Sequence, residues 1–259
     1  MSFESLGIEK NAVKEDLYQT CQKADLAELL QPVLKGGSCW INEQGKIQQK
    51  YTLNPDSPWI YTVPDSRRQC NFCMPLFADK LNMFPYLALS CWKVVVKPEN
   101  VLGLFDLLRI QNYFYSGPGK CGIEVRPSVP VPYGGYFYND TLEAGQECFK
   151  TVKALVDRHI RCDAKVILKR GCTELEQIWG DSRNWDSLVS GDLEELQKTV
   201  ISLFAPTPSN TTYPDWIKAH IIRRWVQFAH QRGDFSYLSV TEGKRLYADY
   251  VTYHESVEE

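Results

Sequence analysis

Cys70 and Cys73 close the run Asp65-Ser-Arg-Arg-Gln-Cys-Asn-Phe-Cys73, and two thiolates so spaced can reach one metal ion. Tetrahedral zinc asks for four ligands, and the chain has no second C-x-x-C. His159-Ile-Arg-Cys162 offers a mixed pair at the start of a strand. Nine cysteines are an odd number in a chain whose opening, Met-Ser-Phe-Glu-Ser, lacks the blocks of a signal peptide. Reduced thiols or metal ligands are therefore expected, in a cytoplasmic setting, rather than a disulfide framework. Two further candidates, Cys91 and Cys172, complete a set of four if the chain brings them together. Such a centre would hold zinc or an iron–sulfur cluster, between which the residues do not choose. Cys121 is a reserve ligand, while Cys21, Cys39 and Cys148 read as apolar fillers. The opposing reading makes all nine idle or buried thiols.

Cys172 also supports a rival chemistry. In Lys169-Arg-Gly-Cys-Thr-Glu174 it lies between a strand end and a helix start beside two cations, which favour a thiolate nucleophile. Glu174, or one of His159, His220, His230 and His254, would then serve as acid or base. That enzyme would act on a small anionic substrate.

The elements that must position these residues run from Trp92 to Cys172. Trp92-Lys-Val-Val-Val-Lys97 sets Trp92, Val94 and Val96 against Lys93 and Lys97. Cys121, Ile123 and Val125 alternate with Glu124 and Arg126, and Ala164 to Lys169 repeats the pattern with Lys165 and Lys169 on one side. A period of two marks strands with one buried face. Asn100 is a candidate cap for a helix with the apolar stripe Val101, Leu102, Leu104, Phe105, Leu108 and Ile110. Pro127, Pro130, Pro132, Gly134 and Gly135 precede a strand at Tyr136-Phe-Tyr138. Thr141 is the cap expected for a second helix, with Cys148, Val152, Leu155 and Val156 facing the core. The order βαββαβ predicts an α+β chain with a ferredoxin-like centre and strand order 4-1-3-2. In that order the start of strand one, at Cys91, lies beside the end of strand four, at Cys172.

The sheet face away from the helices would carry Lys93, Lys97, Glu124, Arg126, Lys165 and Lys169, joined by Tyr136 and Tyr138. Cations interleaved with aromatics on an open sheet suit single-stranded nucleic acid, by stacking and phosphate pairing. A phosphate-bearing small molecule suits the same face. Alternatively, it packs against the N-terminal hairpin or the C-terminal helices with its lysine stems buried.

The chain divides into 1–90, 91–172 and 173–259, with net charges of −1, +4 and −6. The first part reads as a helix over 11–35, then a hairpin turning at Asn42-Glu-Gln-Gly45, a third strand at Trp59–Val63 and packed loop or short helix over 74–90. The last part is mainly helical: Thr173–Trp179, an amphipathic Gly191–Phe204, and Pro214 to about Gln231 with Ile217, Ile221, Trp225 and Phe228 inward. Phe235–Val240 reads as a short strand and the end as an acidic helix or tail. A basic centre within a chain of net charge −3 excludes indiscriminate nucleic-acid binding but allows a local anion site. No run approaches the roughly 20 apolar residues of a membrane span. Signatures of P-loop NTPases, zincins, serine hydrolases and radical S-adenosylmethionine enzymes are absent. The leading expectation is a metal-binding protein with a basic aromatic face, and the alternatives are the Cys172 enzyme and a non-catalytic subunit, its metal structural, that meets protein.

Overall fold

A computed structural model describes residues 39–49, 55–63, 73–126, 129–205 and 213–247. The helix expected over 11–35, Cys21, Cys70, His254 and the acidic tail lie outside them. In chain order the strands are β1 (Cys39–Ile41), β2 (Ile47–Gln49), β3 (Trp59–Val63), β4 (Trp92–Pro98), β5 (Gly119–Ile123), β6 (Tyr133–Asn139) and β7 (Ala164–Arg170). The α-helices are α1 (Val101–Tyr113), α2 (Leu142–His159), α3 (Thr173–Trp179), α4 (Gly191–Ser202) and α5 (Asp215–Gln231). The chain is α+β, with helices beside an antiparallel sheet of five strands.

Two compact units interleave along the chain: one draws on 1–53, 65–92 and 170–211, the other on 54–64, 93–169 and 212–259. The second unit contains the sheet, ordered β3-β5-β6-β4-β7. Over β4 to β7 this places strand four beside strand one and strand three beside strand two. β3, expected in an N-terminal accessory unit, instead pairs antiparallel with β5 as an edge strand. β5 also differs in extent, because Val125 is 66 % exposed where a strand to Arg126 would bury it.

Local chemistry explains the helices of this unit. Asn100 accepts from Gly103 N at 3.0 Å, Asp234 from Val101 N at 2.7 Å and Ser236 Oγ from Leu102 N at 3.2 Å, so the open amides at the start of α1 have partners. Thr141 caps α2 through Ala144 N at 3.1 Å. The buried face of α1 is Val101, Leu104, Leu107 and Ile110, with Leu102, Phe105 and Leu108 only half-buried. The expected stripe is thus rotated toward Leu107, which fits against Gly135: a Cβ there would lie 2.6 Å from its Cδ2. α1 and α2 pack on β6, and α5 packs beside α1 and β3. The expected strand at Phe235–Val240 is a 3-10 turn, Ser236–Ser239, because Asp234 Oδ1 accepts from Ser236 N at 3.0 Å and bends the chain.

The first unit holds the β1–β2 hairpin, whose turn Asn42 closes by accepting from Gln44 N and Lys46 N at 3.0 and 2.9 Å. A π-helical turn, Met74–Lys80, and a 3-10 turn, Tyr86–Ala88, follow. Buried Gln197 of α4 clips the segment after the π-turn, donating to Phe84 O at 2.8 Å and accepting from Tyr86 N at 3.0 Å.

Candidate functional site

Strand alternation sorts the second unit's sheet into two faces. Ile60 and Cys121 pair across β3 and β5 on the helix side, both buried, so their neighbours Trp59, Tyr61 and Lys120 point the other way. Tyr61 stands across from Lys120, which in turn stands across from Tyr136 of β6. The Lys120 ammonium lies 4.3 Å from the centre of the Trp59 ring, 5.5 Å from Tyr61 and 5.4 Å from Tyr136. Lys97 lies 5.8 Å over Tyr136, and Lys93 lies 5.8 Å over Tyr138. Trp59 meets Tyr136 edge-on at 5.5 Å, and Tyr136 and Tyr138 are nearly parallel at 6.3 Å. Cations and rings thus alternate across the face away from α1 and α2, each such contact contributing about 0.5–2 kcal/mol according to its exposure. From the helix side, Gln111 Nε2 donates to the carbonyls of Lys120 and Tyr136 at 3.1 and 3.2 Å, fixing the backbone beneath that pair.

Next to Tyr136, Gly134 leaves room for Lys97. Burial pulls the Lys97 ammonium below its ordinary value; Glu124 opposes the shift, while Arg126 and Lys169 add to it. Glu124, 5 % exposed in its side chain, is held by Arg126, whose Nε donates to Oε1 at 2.7 Å and whose second guanidinium nitrogen pairs with Oε2. Burial alone would raise the Glu124 carboxyl, but the Arg126 hydrogen bonds outweigh it and the net shift is downward.

On the other side of β4, Gly171 N donates to Cys91 O at 2.7 Å and Glu99 N to Asp163 O at 3.1 Å. Both bonds fit one antiparallel register, in which Lys169 faces Lys93 and Lys165 faces Lys97. Lys165 is exposed, Lys97, Lys120, Lys169, Trp59, Tyr61 and Tyr136 are half-buried, and Lys93 and Tyr138 are buried at 8 %. All the face residues expected from the sequence therefore belong to the side away from α1 and α2 or its rim, where Arg126 lies exposed, while Val95 between Lys93 and Lys97 is buried. Trp59, Tyr61 and Lys120 were not expected there. Their signal was present as alternation in Trp59-Ile-Tyr and as a lysine two residues before a buried glycine, but the pairing of β3 with β5 joins residues about 60 positions apart.

The described cysteines have different surroundings. Cys73 is 2 % exposed in an apolar cluster with Leu76, Phe77, Met83, Val200 and Phe204. Cys172 packs with Leu175 and Trp185 in a separate cluster, and Cys91 is half-buried at the neighbouring strand end. Among the described residues no three His, Cys, Asp or Glu side chains are grouped to hold an ion. Cys121 is fully buried and its thiol is pushed far up by burial, which disfavours the thiolate a metal needs. His159 stacks on Phe114 at 4.4 Å, while the Cys162 sulfur lies against Gly103, so the mixed pair is divided between two packing roles.

Cys172 precedes α3 without capping it by its side chain. Gly171, at φ +59°, lets the chain turn there against Trp185, which a Cβ would approach to 2.4 Å. Arg170, one of the two cations expected to activate the thiol, donates to Leu89 O at 2.9 Å, pairs with Asp186 at 2.7 Å and lies over Trp92. Glu174 is half-buried in the first turn. No family model, no curated protein and no solved structure matches the chain.

Proposed function

We propose that the second unit is a ferredoxin-like module that binds single-stranded nucleic acid on its open sheet face. Bases stack on Tyr136 and Trp59, and the lysines around them meet the phosphates. The observation that carries this reading is the alternation of ring and cation on adjacent strands around Lys120. Stacking tolerates any base, and lysine reads charge rather than sequence, so affinity rather than strict specificity is expected. A free nucleotide would use the same contacts over a smaller area. Binding of a labelled oligothymidylate to the full chain across a salt series tests the reading. Affinity that falls linearly in log–log form with salt supports it, and no binding at low salt removes it.

A second reading keeps a cysteine-bound zinc or iron–sulfur centre at the β4–β7 end of the chain. The hydrogen bond from Gly171 N to Cys91 O favours it by bringing the strand ends bearing Cys91 and Cys172 together. Metal, iron and sulfide content of anaerobically purified protein decides it, since colourless, metal-free, folded protein would remove the centre.

A further inference from the structure

Lys97 is half-buried in a notch opened by Gly134, where a Cβ would stand 3.0 Å from Nζ and 3.4 Å from Cδ. An ammonium has three N–H donors. Among the described residues this one makes a single long hydrogen bond, to Val131 O at 3.4 Å. The nearby carboxylate is committed elsewhere: Glu124 accepts from the Arg126 guanidinium at both oxygens and from Arg126 N at 3.1 Å. Arg126 and Lys169 add further positive charge around Lys97. Besides that bond the ammonium has the Tyr136 ring at 5.8 Å and the charge of Glu124, so its remaining donors have no protein acceptor among the described residues.

We infer that Lys97 and Gly134 form a phosphate subsite, in which a non-bridging oxygen of a phosphate ester accepts from Nζ in the notch beside the Tyr136 ring. This rests on the reading of the face as a nucleic-acid surface for its ligand class, but the notch itself recognises the phosphate oxygen common to a strand diester and a free monoester. Gly134 serves by absence, since a Cβ there would press on the Lys97 stem and push Nζ from its place. Gly135 is constrained from the opposite side by Leu107, so the Gly-Gly pair has a separate cause on each face. A phosphate held beside the ring would also let the attached base lie over Tyr136, joining charge and stacking in one nucleotide.

The test uses the full chain with two probes, inorganic phosphate followed by amide NMR and a labelled oligothymidylate followed by anisotropy. Lys97→Met keeps the apolar stem without the charge, Gly134→Ala keeps the charge and fills the notch, and Lys165→Met is the exposed control. Circular dichroism confirms that each variant is folded. Phosphate is expected to shift the Gly134 amide in the parent chain and not in Lys97→Met. With the oligonucleotide, Lys97→Met is expected to weaken binding several-fold and lower the log–log salt slope by roughly 0.7, the share of one single-strand contact. Gly134→Ala weakens it with no charge removed, and Lys165→Met has the smaller effect. A phosphate response that is absent, or that persists in Lys97→Met, overturns the subsite. Phosphate capture without oligonucleotide binding retains the subsite and removes the nucleic-acid reading. Oligonucleotide binding that Tyr136→Leu weakens and Lys97→Met does not removes the subsite and keeps the face.

Discussion

Lys120 and Tyr136 stand opposite each other on neighbouring antiparallel strands, with the ammonium 5.4 Å from the ring centre and the Trp59 ring at 4.3 Å closing on it from the sheet edge. A cation held by several rings stabilises the face before any ligand arrives. Lys120→Met is expected to cost about 1 kcal/mol of stability, seen as a lower denaturation midpoint at unchanged m-value. An unchanged midpoint would mean that the rings pack equally well without the charge.

Asp234 ties the start of α1 to β6, accepting from Val101 N and from Tyr133 Oη, each at 2.7 Å. Burial alone would raise its carboxyl, but the hydrogen bonds from Tyr133, Ser236 and Val101 outweigh it and leave it below its ordinary 3.8. A depressed folded value contributes stability that is present above 3.8 and lost as pH falls through the folded value. Asp234→Asn is therefore expected to lower stability at neutral pH and to flatten its dependence on pH below about 4. Parallel acid-unfolding curves for the two proteins would refute the assignment.

Lys97 titrates in the opposite setting, a cation lowered by burial with Glu124, Arg126 and Lys169 around it. The folded chain gives up this proton before the unfolded chain does, so the folded state is disfavoured below the lowered value and recovers stability as pH rises from there toward 10.5. Lys97→Met should remove that recovery. It should also remove the proton uptake that accompanies phosphate binding in the same alkaline window, which calorimetry in buffers of different ionisation enthalpy measures.

Cys73 reads as a core residue from its place among Leu76, Phe77, Met83 and Phe204. Cys73→Ser puts a hydroxyl into that cluster and should cost about 1–3 kcal/mol, while Cys73→Ala costs less polar burial and leaves any bound metal unchanged. Loss of stoichiometric zinc or iron from both variants would identify Cys73 as a ligand instead.

Much of the second unit was legible because its determinants are local. Asn100 and Thr141 cap helices through amides three residues on, and the alternation in β4 and β7 marks which side carries lysine. What the sequence hid depends on distant partners. Nothing within Trp59–Val63 shows that it pairs with β5, and Gly119-Lys120 follows a Pro-containing turn that conceals the strand's first residues. On α1 the helical period was visible, but the choice of Leu107 over Phe105 and Leu108 depends on Gly135 across the sheet interface. The Asp234 bond that turns Ser236–Ser239 away from a strand is likewise invisible in the alternation of Phe235 and Tyr237. For the cysteines, adjacency of β4 and β7 was readable, whereas the apolar surroundings of Cys73 are completed by Val200 of α4 and by Phe204, more than 100 residues later.

Anisotropy of a labelled oligothymidylate titrated with the full chain, and with Tyr136→Leu, at several salt concentrations tests the central claim most directly. The account predicts salt-dependent binding by the parent chain, and for Tyr136→Leu a loss of roughly 1–3 kcal/mol at an unchanged salt slope, because a stacking ring and no phosphate contact is removed. Equal binding by both proteins, or none by the parent chain at low salt, would contradict it.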